Sequence, residues 1–159
     1  MAAYLLDTSA LVKLYHGESG SAFVEGLFRD SSASLLITPL TLVEFESAIA
    51  LKVRTGSLQP AAADMARRGL RADLARRRLS LDPRHDLGLC ASAHSLMRRF
   101  GVTEGLRTLD ALQLAAALTL CSSGRISAFL TADKRLCRIS ALAGCPAMNP
   151  ESPDLIAPR

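Results

Sequence analysis

Tryptophan is absent from the chain and aromatic residues make up only 4% of it. That shortage excludes a broad platform for stacking unpaired bases, so any nucleic acid held here is held by its backbone and shape. Histidine occurs only as His16, His85 and His94, no two of them at metal-ligand spacing, which argues against zinc. Cys90, Cys121, Cys137 and Cys145 form no C-x-x-C pair. They read as reduced, mostly buried small side chains without a metal or redox role. No apolar run approaches the roughly 20 residues that cross a bilayer. Met1 leads straight into Tyr4-Leu5-Leu6-Asp7 without a basic segment or a cleavage site, so the expected location is cytoplasmic. Repeats, low-complexity tracts and linkers are missing too. The expectation is a single domain over residues 1–149 and an irregular tail over 150–159, where Pro150, Pro153 and Pro158 fall.

What is present is a hydrophobic fraction of 49% in 159 residues, enough to bury a core without staples. The formal net charge is +4 and the basic side is almost all arginine, which fits a polyanionic or acidic partner. Short apolar runs at 3–6, 34–38, 79–81, 126–131 and 147–149 alternate with helical spacing, including 41–53, 60–78, 87–100, 108–118 and 133–142. This alternation predicts an α/β fold, a mostly parallel sheet of about five strands covered on both faces. Such sheets carry their sites at the carboxyl ends of the strands.

Four carboxylates fall at those ends or at helix starts. Asp7 closes the first strand, Glu44 follows the second within the first turn of a helix opened by Thr41, and Asp133 follows the fourth. Asp110 opens a helix that is otherwise apolar on nearly every face, with Thr108 as its expected N-cap. Each acid alone is accounted for as a cap, as part of a Thr41–Glu44 capping box, or as a charge favoured by the helix dipole. Gathered at one sheet edge, the four would repel one another unless a cation held them. Hard oxygen ligands without histidine select Mg²⁺ or Mn²⁺. That donor set suits a phosphodiester-cleaving centre, in which a metal activates water and steadies the leaving oxygen.

The segments Leu6-Asp7-Thr8-Ser9-Ala10-Leu11-Val12-Lys13-Leu14-Tyr15, Thr41-Leu42-Val43-Glu44, Leu109-Asp110-Ala111-Leu112-Gln113-Leu114-Ala115 and Leu130-Thr131-Ala132-Asp133-Lys134-Arg135 resemble, in order and spacing, the motifs of PIN-domain ribonucleases. The nearest likeness is to VapC-type toxins of bacterial toxin–antitoxin pairs. The resemblance implies an α/β/α sandwich and a Mg²⁺- or Mn²⁺-dependent endoribonuclease with Asp7, Glu44, Asp110 and Asp133 as catalytic and metal-binding acids. Asp7 and Asp110 would be the leading ligands, and Thr8, Ser9 and Thr131 would orient carboxylates or water. It further implies an RNA substrate, a cognate antitoxin partner and a homodimer.

Other residues are weighed less heavily. Arg67, Arg68 and Arg71, with Arg76, Arg77 and Arg78, form the densest basic run, a solvated helix face or a contact for RNA or antitoxin. Glu46 points away from Glu44 and reads as structural or as a contact to basic groups. Lys134 and Arg135 stand close enough to Asp133 to neutralise it or to meet a phosphate. Among alternatives, a phosphoryl-transfer enzyme of the haloacid-dehalogenase type would want a second Asp where Ser9 stands. A response-regulator receiver would want an acidic neighbour beside Asp7. A non-catalytic RNA- or protein-binding module is opposed by the intact set of four acids.

Overall fold

The computed structural model describes residues 2–82 and 87–158, so the readings of Met1, His85 and the last residue of the tail lie outside the described residues. Strand β1 (Ala2–Leu6) is central. It pairs in parallel with β2 (Ala33–Ile37) on one side and with β4 (Ala128–Leu130) on the other. The sheet continues in parallel through β3 (Ser80–Leu81) beside β2 and β5 (Ala147–Asn149) beside β4. A sixth strand, β6 (Ser152–Ile156), runs antiparallel to β5 and gives the order β3-β2-β1-β4-β5-β6.

Alternation along each strand sorts apolar side chains to two faces. Leu5, Leu36 and Phe129 face one core, shared with α5 (Leu87–Glu104), α6 (Thr108–Ser122) and α7 (Lys134–Ala143). Leu6, Leu35, Ile37 and Leu130 face the other, filled by α1 (Thr8–Leu11), α2 (Ser21–Arg29), α3 (Pro39–Arg54) and α4 (Pro60–Ala75). The three-layer α/β sandwich is therefore the fold expected, with one strand more. Each wholly buried Leu or Phe stabilises it by roughly 1.5–3 kcal/mol. Helix α6 is the most enclosed, with Ala111, Leu114, Ala115, Ala117 and Leu120 at 1% exposure or less.

Several local expectations change. Helix α3 begins at Pro39, not Thr41. Thr38 is its N-cap, and a capping box joins Thr38 to Thr41, with each side chain accepting the other's backbone N–H at 3.2 Å. Pro39 stands at the first helical position, where its missing N–H costs nothing. Glu44 is consequently past the first turn and free of any capping duty. In α6 the N-cap is Arg107 rather than Thr108. Helix α5 continues through Gly101 and stops at Glu104.

The tail expected to be irregular forms β6. Pro153 lacks an N–H but is tolerated at an outer strand, where one side of the backbone is unpaired. A buried ammonium ties this hairpin to the other end of the chain. Lys13, 3% exposed, donates from Nζ to Glu151 Oε1 at 2.9 Å, Glu18 Oε1 at 3.1 Å and the Ser19 carbonyl at 2.7 Å. Burial works against its charge, but the bonds to Glu151 and Glu18 outweigh that and raise its pKa. Next to it, Gly20 has φ +82°, and a Cβ there would lie 2.8 Å from the Pro150 backbone. Gly56 has a similar φ of +75° but open space around it. In urea unfolding, Gly56→Ala is expected to cost only the left-handed backbone penalty, about 1 kcal/mol. Gly20→Ala should cost about 2 kcal/mol or more, because the hairpin must also move. Equal losses would mean the close approach to Pro150 is not maintained in solution.

Candidate active site

Strand order reverses about β1, whose neighbours β2 and β4 leave for opposite sides of the sheet, and such a switch point opens a crevice at the carboxyl ends. The Asp7 backbone N–H donates to the Leu130 carbonyl at 3.0 Å, so Asp7 and Thr131 emerge side by side. Asp7, Glu44, Asp110 and Asp133 all line one cleft of about 810 Å³ here, together with Thr8, Ser9, Arg107 and Gln113. The four acids come from β1, α3, α6 and the β4–α7 turn.

Asp7 is 8% exposed and both its oxygens are engaged. Oδ1 accepts from Ser9 Oγ at 2.7 Å and from the Ala10 N–H at 2.9 Å; Oδ2 accepts from Thr131 Oγ1 at 2.6 Å. Asp7 is thus the N-cap of α1 as well as a cleft residue. Burial pushes its carboxyl up to about 6 against those bonds, and the charge of Glu44 adds to the rise. Thr131 and Ser9 also receive the Asp133 and Ala132 N–H groups, at 3.2 and 2.8 Å, which fixes the two hydroxyls as orienting groups.

Glu44 Oε2 accepts from Thr8 Oγ1 at 3.1 Å and from Gln113 Nε2 at 2.6 Å. Gln113, 2% exposed, closes a cross-brace: its Oε1 accepts from Thr38 Oγ1 at 3.2 Å, linking α6 to the start of α3. From the sequence, Gln113 belongs to a motif but has no role of its own. A buried amide one turn after Asp110, amid Leu and Ala, was the available signal. Asp133 caps α7, its Oδ1 accepting from the Arg135 and Leu136 N–H groups at 2.8 and 3.1 Å. Its Oδ2 lies 3.6 Å from the Arg135 guanidinium.

Asp110 differs from the other three. Half-buried in the first turn of α6, it has no hydrogen-bond or ion-pair partner among the described residues. Burial raises its pKa, the charges of Asp133 and Glu44 raise it further, and Arg107 and Arg135 oppose them. A divalent cation suits such a cleft, since the lining offers carboxylate and hydroxyl oxygens and neither histidine nor cysteine. Among the described residues no three acidic, histidine or cysteine groups are already drawn together as a ligand set. Like-charged carboxylates stay apart until a counter-charge joins them.

The basic run lies elsewhere. Arg67 pairs with Glu46 at 2.7 Å and Asp64 at 3.3 Å, which gives Glu46 the basic contact expected of it. Arg67, Arg68 and Arg71 are on α4 and none lines the cleft. Lys134 is exposed and Arg135 is the residue that pairs with Asp133. The cysteines are all free, Cys137 and Cys145 buried but Cys90 exposed, so burial is less general than expected.

Comparison with known proteins agrees with the fold. A family model described as the PIN domain matches residues 4–142. Among solved structures, the chain is similar to PAE2754 from Pyrobaculum aerophilum, at 23% identity and TM-score 0.55 over 87% of this chain and 84% of that one. It is similar to Mycobacterium tuberculosis VapC20, described as a sarcin-ricin loop cleaving toxin, at 18% identity and TM-score 0.56 over 79% and 86%. It is also similar to VapBC2 from Rickettsia felis, bound to a DNA fragment from its promoter, at 17% identity and TM-score 0.59 over 92% and 98%. No curated protein sequence matches.

The buried charge of Asp7 sets a pH dependence for the metal-free protein. Its folded pKa, about 6, lies above the ordinary 3.8, so the folded state holds a proton that the unfolded state releases between those values. Stability from this group is complete below 3.8 and is lost as pH rises through about 6, a change of roughly 3 kcal/mol. With a chelator present, urea midpoints for the wild type are expected to fall relative to Asp7→Asn as pH goes from about 4 to about 7. Parallel profiles would show that Asp7 does not carry a strained buried charge.

Proposed function

Because the chain belongs to the PIN-domain family, we propose that it is a divalent-metal-dependent endoribonuclease, the toxin of a bacterial toxin–antitoxin pair, cleaving RNA phosphodiester bonds with an activated water. The observation that carries this is Asp110: a half-buried carboxylate, unpartnered among the described residues, in a cleft with three other acids. The helix dipole at the first turn of α6 favours its charge, but among the described residues no group pairs with it, and a cation held by these acids would compensate it. The likeness to a toxin described as cleaving the sarcin-ricin loop and to a VapBC complex supports RNA as substrate and an antitoxin as partner.

In this mechanism Asp7 and Asp110 would be the leading ligands, with Glu44 and Asp133 completing the site directly or through water. Mg²⁺ or Mn²⁺ held by these acids would supply Lewis-acid chemistry, namely polarisation of the phosphoryl group, a water of lowered pKa and charge compensation at the leaving oxygen. The chain's own part is orientation. Thr131 and Ser9 lock the Asp7 carboxylate in one rotamer by donating to both its oxygens. Thr8 and Gln113 fix Glu44 through Oε2, leaving Oε1 for water or ligand. Backbone N–H groups at the start of α7 hold Asp133 by Oδ1, and its Oδ2 meets the Arg135 guanidinium at 3.6 Å. Histidine is not needed as a base, because the carboxylates kept ionised by a cation can take the water's proton.

Action as a homodimer in the cytoplasm belongs to the same proposal, and among the described residues no helix is long and apolar enough to cross a membrane. Any contact of Arg67, Arg68 and Arg71 with RNA or antitoxin would be made on α4, outside the cleft.

Purified protein is expected to cleave total cellular RNA with Mg²⁺ or Mn²⁺, to stop with chelator, and to lose activity in Asp7→Asn and Asp110→Asn. Equal cutting by all three proteins, or cutting unaffected by chelation, would sink the nuclease assignment. Gln113→Leu, which frees Glu44 without removing a carboxylate, should cut about 10–100-fold more slowly. Wild-type rates in that variant would limit Gln113 to a packing role. Growth arrest on expression, relieved by a co-expressed neighbouring gene product, would distinguish a toxin from a housekeeping nuclease.

A further inference from the structure

Several arginines that could meet a polyanion are already engaged. Arg67 is tied to Glu46 and Asp64, Arg78 to Asp73 and the face of Phe28, Arg29 to Glu25, and Arg138 to Glu104. Arg135 is lodged between Asp133 and the turn at Gly105, where a Cβ would lie 3.3 Å from its Nη1. Arg68 and Arg71, on α4, do not reach the acids. Arg107 combines two properties that none of these joins. It lines the acidic cleft, and among the described residues its guanidinium forms no ion pair and no capping bond.

The helix that Arg107 opens defines its position. Arg107 is the N-cap of α6, in extended conformation at φ −97° and ψ 159°, and the helix body behind it is buried. An exposed side chain is therefore mounted on rigid backbone three residues before Asp110. Lys52, the lysine that lines the same cleft, is already neutralised by Glu18 at 2.9 Å.

A nuclease whose cleft holds four carboxylates must still attract a chain of phosphates. A bound cation compensates the acids at the reacting phosphate, but neighbouring phosphates need a positive group of their own. A guanidinium is suited to this because its planar fork donates to two phosphate oxygens at once. Resting on the nuclease function proposed above, we infer that Arg107 grips an RNA backbone phosphate next to the scissile one and so positions the strand across the acids. It is a substrate-positioning residue, distinct from the metal-binding carboxylates and from the basic run on α4.

The test uses the wild-type chain, Arg107→Gln, Arg107→Lys and, as a control, Arg98→Gln, an exposed arginine on α5 that does not line the cleft. Cleavage of a labelled single-stranded RNA of mixed sequence is followed with Mg²⁺ or Mn²⁺ across a salt series. Binding of the same RNA is measured by anisotropy with Ca²⁺ in place of the active metal. Arg107→Gln is expected to raise KM and Kd by about tenfold at low salt with kcat little changed, and to flatten the slope of log affinity against log salt by about 0.7. Arg107→Lys should recover part of the affinity, Arg98→Gln should behave as wild type, and all four should melt alike. Wild-type KM, Kd and salt slope in Arg107→Gln would overturn the assignment, as would a loss confined to kcat, which would make Arg107 a modulator of Asp110. Wild type that binds RNA without cutting it would defeat the nuclease function alone, leaving Arg107 to be judged on Kd. Wild type that neither binds nor cuts would defeat both.

Discussion

A buried negative charge at the carboxyl end of β1 is the constraint on which the rest of the structure depends. Asp7 sits where the two halves of the sheet part, with almost no access to water. Three donors reach it, from Ser9, Ala10 and Thr131, yet burial still dominates its protonation. Such an arrangement stores unfavourable electrostatic energy in the metal-free protein, which a cation bound as proposed would relieve. Functional sites are where a fold carries that kind of cost, because the same carboxylate in water would bind a metal no better than any other.

Around this charge the scaffold works by immobilisation. Helix α6 is enclosed by α5, α7 and the sheet, so the carboxylate on its first turn cannot drift. Gln113 extends that rigidity to the other side of the cleft by joining α6 to Thr38 and Glu44. Two of the four acids also cap the helices they precede. Capping and metal binding are compatible because a carboxylate has two oxygens: one can be committed to the backbone while the other takes a different partner, as Oδ2 of Asp133 takes Arg135.

That dual use explains what was legible in the sequence. The layers and parallel strands followed from short apolar runs alternating with helical spacing, and Asp7, Glu44, Asp110 and Asp133 were found by their position at junctions. Local chemistry alone could not rank capping against function, since Asp7 and Asp133 cap helices and line the cleft at once. The start of α3 was displaced because Thr38 and Thr41 are equally good caps in isolation, and only Pro39 between them favours the earlier one. Strand β6 was missed because its prolines signal irregular chain, and nothing within 150–159 reveals that β5 provides a free edge. Gln113 and Arg107 acquire meaning only through partners, or the lack of them, on elements far away in sequence.

Those distances along the chain have a consequence for synthesis. Thr131 reaches back 124 residues to Asp7, Gln113 reaches back 69 to Glu44, and Glu151 reaches back 138 to Lys13. Contacts closed across such separations form late, after the loops between them have been brought together. Synthesis from the N-terminal side therefore releases Asp7, Thr8 and Ser9 ahead of their partners and can finish their surroundings only when β4 and the start of α7 have emerged. Any product truncated before residue 131 lacks both the hydroxyl that orients Asp7 and the fourth carboxylate. Whatever chemistry the cleft performs is thereby withheld from incomplete chains.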